Sequence, residues 1–96
     1  MQMTRIPLDF EKVESLREHM LLTVGHMAEL MGVSRMTYYG WVKGKPIREN
    51  NERKAKRTLR LLIALIKDGH WPVEGVKSMT AGVRYQTLLE VLEGQE

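Results

Sequence analysis

Apolar residues recur at helical spacing along most of the chain, and strict alternation of apolar and polar residues is rare. A period near 3.6 residues is typical of an amphipathic α-helix and a period of two of a β-strand, so the pattern predicts an all-α protein, a small helical bundle. Its predicted helices span about 10–21, 24–31, 35–43, 52–68 and 83–93, with a short helical turn after Pro72.

Residues that start and stop helices set these limits. Asp9, Thr23 and Ser34 can accept a hydrogen bond from a free N–H at the start of the first three helices. Glycine follows where a helix is expected to stop, because it adopts positive φ without strain. The stopping glycines are Gly32, Gly44 and Gly69, and Asn50 or Asn51 is the predicted cap of the long fourth helix.

The second half of the fourth helix, "LRLLIALI", is apolar nearly all round. It is much shorter than the roughly 20 residues that cross a bilayer, so we expect it to be buried in protein. A helix that is apolar on every side must be covered on every side. We predict that the C-terminal segment and a second copy of the chain supply this cover, with dimer contacts at Leu62, Ile63, Leu65, Ile66, Leu88 and Leu92.

A length of 96 residues favours one domain, and the absence of cysteine excludes disulfides and thiolate metal sites. Together with the missing membrane segment, this predicts a cytoplasmic protein. Within a single domain over 1–96 we predict a core at 8–48 that contains a helix-turn-helix at 23–44. A long helix within 50–69 and a C-terminal segment at 70–96 complete it.

Charge is unevenly distributed along the chain. The net charge is only +3, but between Lys43 and Arg60 eight basic residues stand against two acidic ones, a local net charge of +6. A basic cluster of this kind is either a solvated helix face or a surface that attracts nucleic acid.

The stretch "MAELMGVSRMTYYGWVKGK" combines a helix end, a glycine turn and a capped second helix. Two helices joined by a short glycine-containing turn form a helix-turn-helix, whose second helix enters the major groove of DNA. Helical spacing directs Val33, Tyr38 and Trp41 inward. It directs Arg35, Met36, Tyr39, Gly40 and Lys43 outward.

This stretch resembles the helix-turn-helix family of phage Cro and repressor proteins. The resemblance rests on Met27, Ala28, Met31, Gly32, Val33, Ser34, Tyr38, Trp41, Gly44, Lys45 and Pro46. It implies a lambda-repressor-like fold and a dimeric, sequence-specific repressor or activator that binds double-stranded operator DNA in a bacterial or phage-infected cell. It places base reading on Arg35, Met36 and Gly40, with Thr37 and Tyr39 beside them, and phosphate contacts at the start of the second helix and in the loop after the third.

The side chains favour the same roles on physical grounds. Arg35 can donate two parallel hydrogen bonds to guanine, and Met36 can pack on a thymine methyl group. Gly40 would let the helix lie deeper in the groove. Phosphate oxygens would be held by two groups, the helix starts at Thr23, Gly25 and Ser34 and the cations Lys43, Lys45 and Arg48.

Other chemistry finds little support in the sequence. His19, His26 and His70 lack the spacing of a helical zinc site, and no nucleophile elbow or phosphate-binding glycine loop is present. We therefore expect no metal, no cofactor and no enzymatic activity. The alternative is a protein-interaction module on the same fold, such as an antitoxin-like or polymerase-binding regulator, because fold does not determine function.

Overall fold

A computed structural model of the protein describes residues 8–95 and shows an all-α helical bundle, with no strand in that range. Residues 1–7 and 96 of the predicted domain lie outside the described residues. The five α-helices are α1 (Phe10–His19), α2 (Val24–Met31), α3 (Arg35–Val42), α4 (Glu49–Lys67) and α5 (Ala81–Glu93), with a short 3₁₀ helix at Val76–Ser78 before α5.

The predicted caps of the first three helices are confirmed. Asp9 accepts a hydrogen bond from the N–H of Glu11, and Thr23 and Ser34 accept from the third residue of their helices. Thr80 caps α5 in the same way, so this helix begins two residues before its predicted start. Helix α1 ends at His19 rather than near residue 21, because the chain turns back at Leu21, whose φ is 61°.

The predicted cap of the fourth helix is wrong. Helix α4 begins at Glu49 after Arg48, which makes no side-chain capping hydrogen bond, and Asn50 and Asn51 lie inside the first turn. Glu49 and Glu52 also lie in that turn. Their negative charges interact favourably with the positive end of the helix dipole. This interaction stabilises the start of α4 in the absence of a capping side chain.

An aromatic cluster joins α1 to α3 in the core. The ring of Phe10 lies 5.1 Å from that of Tyr38 and 5.8 Å from that of Trp41, both at steep angles. Edge-to-face packing of this kind is favourable because the positive edge of one ring meets the negative face of another. Tyr38 and Trp41 are both buried, as the helical spacing predicts.

Side chains of α4 contact the C-terminal end of α2, so the two helices pack across each other. Thr58 is buried and donates a 3.2 Å hydrogen bond to the carbonyl of Leu30. One helical turn earlier, Lys54 Nζ lies 3.5 Å from the carbonyl oxygen of Gly32. The first half of α4 is thereby fixed against the turn that leads into α3.

The C-terminal segment is held on the bundle by Arg84. Its guanidinium donates hydrogen bonds to the carbonyls of Val76, Met79 and Leu21, at 3.0, 2.8 and 3.0 Å. Leu21 lies in the turn between α1 and α2, so this one side chain connects α5 to the N-terminal helices. Beside it, the ring of Tyr85 stacks on that of His26 in α2, with centroids 4.2 Å apart.

Three of the six predicted dimer residues are instead part of the core of a single chain. Leu62 on α4 and Leu88 on α5 are fully buried and Leu65 on α4 nearly so, and all three belong to one core cluster. Ile66 and Leu92 are partly buried against the same core, whereas Ile63 is 42% exposed. Leu61, which the sequence analysis did not select, is 52% exposed. The apolar half of α4 is therefore covered on one side only within residues 8–95.

Candidate nucleic-acid interface

Helices α2 and α3 form a helix-turn-helix whose turn consists of residues 32–34. Gly32 ends α2 with a φ of 73°, and the N–H of Val33 donates a 3.0 Å hydrogen bond back to the carbonyl of Ala28. Ser34 Oγ then accepts a 3.0 Å hydrogen bond from the N–H of Thr37. Glycine at a positive φ and serine at a helix cap are the residue types that these conformations favour, so the turn follows from the local sequence.

The inner face of α3 is fixed by a polar network as well as by apolar packing. Tyr38 Oη donates a 2.8 Å hydrogen bond to Glu14 Oε2, and the Glu14 carboxylate is paired with Arg17. Arg17 in turn donates a 2.9 Å hydrogen bond to the carbonyl of Leu22. Burial first, and the hydrogen bond to Glu14 second, raise the pKa of Tyr38, so its hydroxyl stays protonated and available as a donor.

The outer face of α3 presents most of the residues predicted to read bases. Arg35 is exposed, Met36 is 84% exposed and Tyr39 is 49% exposed, while Thr37 is half-buried. Val42 is also 47% exposed, and the sequence analysis missed it. Its position three residues after Tyr39 on the same helical face was the available signal.

The predicted exposure of Gly40 is wrong. Gly40 is buried because the N–H of Lys45 donates a 2.9 Å hydrogen bond to its carbonyl, which folds the following loop back over the helix. A Cβ atom at Gly40 would lie 3.2 Å from Lys45 Cδ. The absence of a side chain at Gly40 makes room for the loop that follows α3. Lys45 covers this part of the helix, so a DNA groove would meet Lys45 there and not Gly40.

A cavity of about 410 Å³ separates α3 from the start of α4. Two cations predicted to bind phosphate, Lys45 and Arg48, line it together with Met36 and Thr37 from α3. Asn51 contributes a further polar side chain that the sequence analysis did not assign to the interface. The structure thus brings predicted base-reading and phosphate-binding residues to one surface, and Lys43 lies exposed at the end of α3 beside it.

The start of α2 supports the start of α3. A Cβ atom at Gly25 would lie 3.1 Å from Arg35 Cδ, so the aliphatic stem of Arg35 rests on the Gly25 backbone. The hydroxyls of Thr23 and Ser34 accept capping hydrogen bonds from His26 and Thr37. The phosphate contacts predicted for Thr23, Gly25 and Ser34 stay predictions, and Gly25 has in addition a steric role toward Arg35.

Helix α4 carries a second basic surface, which we call the α4 cationic face. Its members are Arg53, Lys54, Arg57 and Arg60. All four are exposed, and residues 53–67 contain no acidic residue. Within residues 8–95, Lys56 pairs with Glu52 at 3.0 Å, and no ion pair joins a carboxylate to the three arginines of this face. Like charges three or four residues apart repel, and Glu29 of α2, which lines a cavity together with Lys54 and Arg57, offsets only part of this repulsion.

The described residues include no group of three or more His, Asp or Glu side chains that could hold a metal ion. None of their helices combines the length and apolarity needed to cross a membrane. None of the family models, curated proteins or solved structures compared with the chain matches it. The fold and the candidate interface therefore rest on this chain's own residues, which define an all-α bundle with an exposed recognition-type helix followed by the exposed cations Lys43, Lys45 and Arg48.

Proposed function

We propose that the protein is a sequence-specific DNA-binding transcriptional regulator that inserts α3 into the major groove. Its resemblance to the phage Cro and repressor family favours a repressor. The observation that supports this most directly is the orientation of α3 in the helix-turn-helix. Tyr38 and Trp41 bury its inner face, while Arg35, Met36 and Tyr39 project outward from its first turns. A recognition helix needs this arrangement, since its N-terminal residues contact base edges.

Each outward residue has a chemical role in this proposal. Arg35 donates two hydrogen bonds to guanine, a contact worth about 1–3 kcal/mol of discrimination against other bases. Met36 packs on a thymine methyl group, with Thr37 and Tyr39 contacting the adjoining base or sugar. Lys43, Lys45 and Arg48 bind phosphates beside the groove, together with the helix starts at Thr23, Gly25 and Ser34.

We further propose that the regulator acts as a homodimer on a two-fold operator in the cytoplasm of a bacterial or phage-infected cell. Ile63, a predicted dimer residue that is exposed on α4, supports self-association through that side of the helix. Two recognition helices related by a two-fold axis would read half-sites one helical turn apart. Sedimentation at high micromolar concentration, with and without operator DNA, tests this part, and a monomer under both conditions would contradict it.

Selection from a randomised duplex library at two salt concentrations tests the function. We expect one enriched palindromic motif and an affinity that falls as salt rises. In a repeat selection with Arg35→Ala, the preference at one position of each half-site should disappear while the rest of the motif is retained. An unchanged motif would exclude Arg35 as a base-reading residue, and the absence of any enriched motif would exclude sequence-specific reading.

One observation favours a second candidate, a protein-interaction module. The outward side of α3 is apolar as well as basic, since Met36 and Val42 are exposed on it beside Tyr39. Such side chains also suit a protein surface. If the chain binds no duplex at low salt, this candidate replaces DNA reading, and Met36→Ala should then weaken binding to the protein partner that copurifies with the chain.

A further inference from the structure

We propose that the α4 cationic face binds the phosphate backbone of duplex DNA outside the base pairs that α3 reads. This inference rests on the proposed DNA-binding function and adds a second contact surface to it. The face lies on a different helix from the base-reading residues. It would therefore increase affinity without adding sequence information, because phosphate contacts position a protein but do not distinguish bases.

The position of α4 supports this assignment. At its start, Arg48 and Asn51 line the cavity that Met36 and Thr37 also line. Lys54 then reaches the Gly32 carbonyl in the turn that precedes α3. Helix α4 thus leaves the proposed DNA surface at Arg48 and runs beside the N-terminal end of the recognition helix. A duplex seated on α3 would extend past this helix.

The charge pattern supports an anionic partner. Residues 53–67 include no carboxylate. Glu29 of α2 shares a cavity with Lys54 and Arg57, but within residues 8–95 no ion pair joins a carboxylate to Arg53, Arg57 or Arg60. Repulsion between these neighbouring guanidinium groups is relieved when a polyanion lies along them. Arginine also suits phosphate specifically, since its planar fork can donate two parallel hydrogen bonds to phosphate oxygens.

The dimensions fit a short run of backbone. From Arg53 to Arg60 the helix advances about 10 Å at about 1.5 Å per residue. One DNA strand carries a phosphate about every 3.4 Å of helix axis, so the face spans about three phosphates of one strand. Contacts of this extent require DNA beyond the half-site, which makes the length of the duplex an experimental variable.

The test compares two charge-matched variants on two duplexes. Arg57→Gln/Arg60→Gln removes two cations from the face, and Lys12→Gln/Lys77→Gln removes two exposed cations from outside α3 and α4. One duplex carries only the enriched motif, and the other adds about one helical turn, about 10 base pairs, on each side. Affinity is measured over a range of salt concentrations for the wild type and both variants.

We expect the wild type to bind the longer duplex more tightly than the shorter one. In the Arg57→Gln/Arg60→Gln variant this gain should disappear, and the slope of log affinity against log salt on the longer duplex should fall by about 2, at about 0.9 per phosphate contact. The enriched motif should be unchanged. The control variant should keep the gain, and Arg57→Lys/Arg60→Lys should restore most of it. Thermal unfolding of each variant verifies that the fold is intact.

The outcomes separate the two proposals. If the motif is enriched but both glutamine variants behave alike, the role of the α4 cationic face is refuted and the reading of DNA by α3 stands. A face that instead holds an acidic protein would give this result. If no motif is enriched, yet the α4 variant alone weakens salt-dependent binding to a random-sequence duplex, specific reading fails and the backbone contact is supported. If the wild type binds no duplex, both proposals fail.

Discussion

Tyr38 Oη donates a 2.8 Å hydrogen bond to Glu14 Oε2 and thereby ties the middle of α3 to α1. The same carboxylate pairs with Arg17, whose guanidinium also binds the Leu22 carbonyl just before α2. The proposed recognition helix is therefore oriented by a directional contact as well as by apolar packing. A polar network inside a small core fixes geometry because each member has few alternative partners.

Replacing Tyr38 with phenylalanine removes this hydrogen bond and leaves the ring in place. We expect the free energy of unfolding to fall by about 1–3 kcal/mol, because the lost acceptor is a charged carboxylate. For a chain of this size the melting temperature should fall by roughly 4–8 °C per kcal/mol. Tyr39→Phe is the matched control, since Tyr39 is 49% exposed, and it should leave stability unchanged. Equal melting temperatures for the two variants would contradict a stabilising role of the network.

Alkaline pH should destabilise the protein through its buried tyrosines. Burial is the main cause that raises the pKa of both Tyr38 and Tyr85, and the neighbouring carboxylates Glu14 and Glu29 raise it further. Because the folded-state pKa lies above the unfolded value of about 10, the associated stability is complete below about pH 10 and is lost as pH rises beyond it. Denaturant unfolding between pH 8 and 11 should show this loss, with a smaller loss in Tyr38→Phe. A flat profile above pH 10 would contradict it.

Most of the helix-turn-helix could be predicted because its signals are local. Thr23, Gly32 and Ser34 act through hydrogen bonds and φ angles within a few residues, so their types alone indicate where α2 and α3 begin and end. The inward direction of Tyr38 and Trp41 follows from helical spacing.

The errors concern contacts between segments that the spacing cannot reveal. Gly40 lies on the outer side by helical spacing, but the loop through Lys45 folds back and covers it. Leu62 and Leu88 have the apolar character of interface residues, yet α4 and α5 bury them in one chain. The partners of Arg84 include Leu21, which is 63 residues away in the sequence, and no periodic pattern indicates such a bond.

Arg84 should contribute strongly to stability because it binds three backbone carbonyls at once. We expect Arg84→Met to lower the free energy of unfolding by about 2 kcal/mol, since three hydrogen bonds from a charged donor are lost, two of them part-buried. Arg84→Lys should recover only part of the loss, because an ammonium lacks the planar fork of a guanidinium. Urea unfolding measures both variants. Arg60→Met, an exposed change on α4, is the control, and an equal effect there would exclude a specific role for Arg84.

Alanine substitutions at Gly32, in the turn, and at Gly82, within a helix, should change stability in opposite directions. Gly32 ends α2 at a φ of 73°, whereas Gly82 lies within α5 with nothing within 4 Å of an added Cβ atom. Gly32→Ala should therefore cost about 1–2 kcal/mol in strain, because L-residues disfavour the left-handed region. Gly82→Ala should stabilise the protein by about 0.4–1 kcal/mol, because it reduces the freedom of the unfolded chain. Thermal unfolding of both variants tests this pair, and the same sign of change would contradict it.

Gly25→Ala should alter base preference through Arg35. The added methyl group would lie 3.1 Å from Arg35 Cδ, so the arginine stem must move by a few tenths of an ångström. Under the proposed function, Gly25→Ala should weaken the preference at the base pair that Arg35 reads. Adding it to Arg35→Ala should change the base preference no further, since coupled residues are not additive. Library selection with the two single variants and the double variant measures this. A uniform loss of affinity with no change of base preference would contradict this steric coupling and leave Gly25 only its proposed phosphate contact, because such contacts do not depend on sequence.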